Sequence, residues 1–239
     1  MKKIAILTMA AVTACVTMAA PANKPPKRNA PGSADAVASD KDARVQIDQF
    51  PKLGRVSTLS APAVNGDSIL GRCYTKPRKW IVLETKYTTF AKWQDQLTFT
   101  WHVLLETKSA TENKGNKEKL APYSYFTTAV TYQNIPQGSH AASVCLPPSY
   151  LERFGEPKAI GLVISNKDGE ILAGDCESEI KGIAHHPKSL DAAFWSDQKV
   201  LNATDEAGEP MIERRQGLVD RSKTIWAIVN PNDYEAVAQ

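Results

Sequence analysis

From residue 97 to 105 the chain alternates strictly. Leu97, Phe99, Trp101, Val103 and Leu105 fall on one side, and Thr98, Thr100, His102 and Leu104 on the other. A period of two with large apolar residues on one side predicts a half-buried β-strand. Residues 79–90, KWIVLETKYTTF, are rich in β-branched and aromatic residues and predict a second strand, with residues 91–95 as the hairpin connection between the two. Further on, residues 123–132 form an aromatic, threonine-rich strand ended by Asn134, Pro136 and Gly138, and residues 139–146 form the next. Shorter edge segments are expected around Val45 and Ile47 and around Val56 and Leu59, punctuated by Pro51, Gly54 and Pro62.

After Pro147-Pro148-Ser149, the stretch YLERFG reads as a single helical turn stopped by Gly155 and Pro157. AIGLVIS and EILAGD then flank Asn166-Lys167-Asp168-Gly169, a turn ending where positive φ suits glycine, and so predict a hairpin. From about residue 181 the pattern weakens. Residues 189–200 suggest a short helix with Leu190, Ala193, Phe194 and Trp195 on its apolar side, Gly208-Glu209-Pro210 and Gly217 break the stretch after it, and residues 224–229 suggest an edge strand. Six or more strands without a long helix predict an all-β fold, antiparallel sheets packed as a sandwich, with short helices and an irregular C-terminal segment.

The N-terminal pattern is different in kind. Lys2 and Lys3 precede an apolar run from Ile4 to Met18, followed by Ala20-Pro21-Ala22. A basic start, an apolar stretch too short to span a bilayer and small residues at the end are the layout of a secretory signal. Cleavage after Ala22 would free a chain beginning at Asn23. The alternative is a lipobox, Val12-Thr13-Ala14-Cys15, with Cys15 acylated; the apolar run continuing through Val16 and Met18 favours soluble export, because a lipidated cysteine is normally followed by a polar tether. Residues 23–43, rich in Pro, Ala and charge, bury too little to offset their ordering entropy and read as a flexible tether. The expected organisation is a signal peptide over residues 1–22, a tether over 23–43 and a β-sandwich domain over 44–239 with an appendage from about 181.

Export changes what composition means. Loss of Lys2 and Lys3 takes the formal charge from +3 to about +1. The remaining basic residues alternate with acids, as in Glu213-Arg214-Arg215, and no nucleic-acid surface is expected. Apart from Cys15, three cysteines remain: Cys73, Cys145 and Cys176. One disulfide and one leftover thiol fit an oxidising compartment, with all three pairings open, beside the alternative of three small buried residues.

Catalytic motifs are absent. Adjacent His185 and His186 are followed by Pro187 and have no acid at metal-ligand spacing, so no metal site is expected. His102 lies on the threonine-rich side of its strand and is expected to face solvent or a loop. Gly138-Ser139-His140 lacks a strand-turn-helix setting for a nucleophile, and the glycines are too scattered for a phosphate loop. No cofactor is implied. Trp93, in a polar stretch, is the aromatic best placed for surface binding, whereas the other tryptophans in strands read as core.

Two segments, WIVLETKYTTFAKWQDQLTFTWHVLLE and GLVDRSKTIWAIVNPNDYEAVAQ, resemble a family of exported proteins of Verrucomicrobia, of the Akkermansia type, that accompany pilus-type gene clusters. The resemblance implies an immunoglobulin-like sandwich serving the cell surface or pilus system, without enzymatic activity; it carries over no functional residue. A pilin-type leader is missing, which favours an accessory, adhesive or scaffold role over a filament subunit. The expected function is thus an exported binding or structural module with a protein partner at the cell surface, a membrane attachment only through Cys15, and carbohydrate as a second possible ligand. An envelope hydrolase with dispersed residues is the alternative.

Overall fold

The two alternating segments around residues 91–95 do not pair with one another: they are the halves of a single strand. The computed structural model describes residues 45–60, 78–107, 120–183, 190, 193–224 and 226–227, all within one unit, Ala38–Gln239. In chain order the strands are β1 (Val45–Gln49), β2 (Ser57–Ser60), β3 (Lys79–Glu106), β4 (Tyr123–Leu146), β5 (Glu156–Asn166), β6 (Ile171–Ser178), β7 (Ile212–Arg215) and β8 (Val219–Asp220). Helices α1 (Pro148–Phe154) and α2 (Gln198–Leu201) are short. Signal segment, tether, Cys15, Cys73, His185 and His186 lie outside the described residues.

β3 and β4 run antiparallel along their whole length and form the spine. Their register breaks once, where Thr89 faces Gly138 and Trp93 faces Pro136, so that β3 spends three intervening residues and β4 one. Such a bulge bends a sheet. Two residues before Pro136 on β4, Asn134 adopts φ 56°, the left-handed conformation that asparagine tolerates better than other side-chain-bearing residues. Pro136, Gly138 and the polar residues 91–95 therefore bend two continuous strands. They do not end four separate ones.

Either side of the bend the spine gathers different neighbours. The first half of β3 pairs with β1 and β2, and the second half with β5, which continues to β6. The bend brings the inner faces of the two halves together. Leu83, Tyr87, Leu97, Phe99, Trp101, Phe126, Val144, Ile160 and Leu162 share one core cluster. The result is an all-β sandwich made from one folded sheet. β7 departs from the antiparallel expectation, running parallel to β4 at its Tyr123 end.

The local readings at 148–178 hold. α1 starts on Pro148 and stops at Gly155, whose φ is 87° and whose N–H donates to the Leu151 carbonyl. In the β5–β6 hairpin, Asn166 Oδ1 accepts from the N–H groups of Asp168 and Glu170 at 3.0 and 2.9 Å, and Gly169 takes φ 82°. The C-terminal part departs from expectation. Arg221–Lys223 is a 3-10 turn and Trp226 and Ala227 are also helical, whereas edge pairing falls to β7 and β8. Neither β7 nor β8 is long enough to show a periodicity.

Candidate functional site

The outer face of the β3–β5–β6 half is covered by Leu190 and residues 193–201, and this decides the fate of the polar residues there. Trp195 lies so close on Gly161 that a Cβ at that position would overlap its ring, and Leu190 sits on Gly174 in the same way. Leu104, Tyr125, Ala159, Cys176, Phe194 and Leu201 form a second core cluster beneath. Of the two expectations for His102, solvent or a loop, the second is met: it is buried beneath the turn that carries Trp195. Its ring stacks on Trp195 at 4.7 Å between centroids, and Nδ1 is 2.6 Å from the Tyr125 hydroxyl. Burial lowers the His102 pKa to about 4, so the imidazole is neutral at physiological pH. Its stacking on Trp195 helps to hold the covering segment on the sheet.

The cysteines are equally withdrawn. Cys145, on β4, and Cys176, on β6, are buried. Cys145 is opposite Val82 in the first half of the spine, and Cys176 is opposite Gly161 in the second, so the 145–176 pairing is not made. Burial pushes their pKa values up to about 11 and about 12, which keeps both protonated and poorly nucleophilic.

Trp93 is the reverse case. It lies in the bulge with 59% of its surface exposed, beside the partly exposed Phe90 (38%). The β5–β6 turn is tied to the same end through Lys167 Nζ and Asp95 Oδ2, 3.6 Å apart, and Ile171 just after that turn is 56% exposed. The remaining described tryptophans are engaged: Trp101 in the core, Trp80 edge-to-face with Trp226, Trp195 on His102. The bend thus presents apolar side chains, drawn from two strands, that the core does not use.

At the other end of β4, α1 and β7 enclose a concavity of about 480 Å³ lined by Ser149, Tyr150, Arg153, Phe154, Arg214 and Arg215. Two guanidiniums lie against one ring, Arg215 at 4.4 Å and Arg153 at 5.1 Å from the Phe154 centroid. Arg215 is further held by Nε donating to Ser124 Oγ at 3.2 Å and by an ion pair with Glu213. In the sequence this site was hidden, because Glu213-Arg214-Arg215 reads as a solvated charge run until β7 docks beside α1. Among the described residues no group of three or more His, Cys, Asp or Glu is placed to hold a metal ion, and no helix is long and apolar enough to cross a membrane.

A protein-family model matches residues 37–235. No curated protein matches. Among solved structures, the chain is similar to a protein from Akkermansia muciniphila at 20% identity, with a TM-score of 0.55, covering 82% of this chain and 94% of that one. A match to the beta-D-glucoside glucohydrolase of Trichoderma reesei has 12% identity and a TM-score of 0.21, covering 57% of this chain and 19% of that one, too little for a shared fold. With the family model spanning well over half of the 239 residues, the chain belongs to the family which that model describes, and it shares the fold of the Akkermansia muciniphila structure.

Proposed function

We propose that the protein is an exported, non-catalytic binding or structural module of the cell surface, an accessory, adhesive or scaffold component of a pilus-type system, which contacts a protein partner through the bend of its sandwich. The observation that carries this is the exposure of Trp93 in the bulge, next to Phe90 and at the same end as Ile171. A large aromatic with its indole free of the core contributes contact area at low entropy cost, which is why tryptophan is prominent where proteins bind one another. Among the described residues, His102, Cys145 and Cys176 are buried, and burial favours the uncharged form of each; the hydrolase alternative turns on His185 and His186, outside the described residues.

Two measurements test the reading. Intact-mass analysis of the protein recovered from the native envelope is expected to show cleavage after Ala22, with acylation at Cys15 as the lipoprotein outcome. An uncleaved chain overturns export. Glycan-array binding of the wild type against Trp93→Ala separates the carbohydrate alternative: the proposal expects no glycan signal, whereas one lost in Trp93→Ala would reassign the bend to sugar binding.

A further inference from the structure

The arginine-lined concavity lies at the edge of the sheet. β7 pairs with β4 and with no other described strand, and it ends the strand order on that side. Its sequence, Ile-Glu-Arg-Arg, runs straight into the concavity, since Arg214 and Arg215 are both strand residues and lining residues. An edge strand offers main-chain N–H and C=O groups to an added strand, and a guanidinium presents paired N–H donors that match a carboxylate. Here the two recognition elements are adjacent.

The lining carries three arginines, of which Arg215 is ion-paired with Glu213 beside the concavity. Arg215 is fixed by Ser124, Glu213 and the Phe154 ring, so its position is set before any ligand arrives. Arg214, its neighbour on the strand, is exposed. Tyr150 supports the other wall by packing so tightly on Gly217 that a Cβ there would overlap its ring, and it stands with Phe126 and Phe154 in an aromatic group. Free phosphate or a sugar acid would use the arginines but not the strand edge. An extended peptide with acidic side chains uses both.

We propose that β7 and this concavity form a docking site for an acidic, extended peptide segment of a partner protein, which adds as a strand to β7 and places carboxylates on Arg153, Arg214 and Arg215. This site is separate from the bend: β7 pairs with residues 123–126, whereas Trp93 faces Pro136. A module with a contact surface at each location can bridge two partners, which a scaffold role requires and a single-surface adhesin does not.

The test is fluorescence anisotropy of the full purified chain with three labelled peptides: alternating Glu and Val, the same with Gln for Glu, and the acidic peptide with one central Pro. The acidic peptide is expected to bind, and binding to weaken by about tenfold or more with Gln, with Pro, and in Arg214→Glu. Arg214→Gln serves as the milder variant, and thermal melts by circular dichroism confirm that each variant is folded. Equal affinity for the Gln peptide removes the arginines from recognition and overturns the proposal. Equal affinity for the Pro peptide, or displacement by inorganic phosphate or glucuronate at the peptide's own concentration, overturns strand addition in favour of a plain anion site. No binding of the acidic peptide overturns it outright, and leaves the surface-module reading to its envelope measurement.

Discussion

Tyr87 and Phe99 belong to the same strand, twelve positions apart, yet their ring centroids are 4.8 Å from one another. In a straight strand twelve residues span about 40 Å. The contact exists because β3 folds over at its bulge, so one strand supplies facing residues to both layers of the sandwich. Removing one ring opens the seam between the layers. Phe99→Ala is expected to destabilise the fold by about 3–5 kcal/mol, measured as a shift of the urea midpoint by tryptophan fluorescence. A change within about 0.5 kcal/mol would mean that the layers do not meet there.

A second relationship ties the C-terminal segment to the sheet. Gly161→Ala puts a methyl group where the Trp195 ring lies, next to His102, which pairs with Gly161 across the strands and stacks on the same ring. The expected cost is about 1–3 kcal/mol of overpacking. Trp195 must lift, and the His102 imidazole then gains solvent. Its pKa should move from about 4 back towards the ordinary 6.5, read by the histidine ring resonances in an NMR pH titration. An unmoved His102 resonance in a folded Gly161→Ala protein would show that Trp195 is not what buries it.

His102 also sets a pH dependence whose sign is determined. Folded, it takes up a proton only near pH 4; unfolded, near 6.5. Between those values the unfolded chain binds more protons, so stability falls as pH drops from about 6.5 to about 4 and is fully present above that window. The contribution is about 3 kcal/mol at most. Urea titrations of wild type and His102→Phe at pH 7 and pH 4.5 should show a steeper acid loss in the wild type. Parallel curves would place His102 in solvent.

For the thiols, protection is the expectation. Cys145 and Cys176 should resist iodoacetamide at pH 8 in the native protein and react promptly in denaturant, resolved by peptide mapping. Rapid native alkylation of either would show it to be accessible.

The alternation at 97–105 revealed one buried face correctly, and the Asn166–Gly169 turn and the stop at Gly155 were equally legible, because each depends on a few neighbouring residues. What lay beyond the sequence was non-local. Residues 91–95 and the Asn134, Pro136, Gly138 group look like two strand ends, since the same residue types serve a turn and a bulge; only the pairing across strands tells them apart. For His102 the choice between solvent and a loop could not be made, because its cover comes from Trp195, ninety-three positions away. The arginine concavity was illegible for the same reason. Trp93, judged from its polar neighbours alone, is where an exposed aromatic was expected.

The proposal that the bend is the contact surface is tested most directly by site-specific photo-cross-linking in intact cells, with benzoylphenylalanine at Trp93 and, as a control, at Lys199 on the capping segment. A discrete cross-linked protein partner is predicted from position 93, in the surface fraction, and none from position 199. Equal cross-linking from both positions, or none from position 93 in a chain shown to be folded and exported, would contradict it.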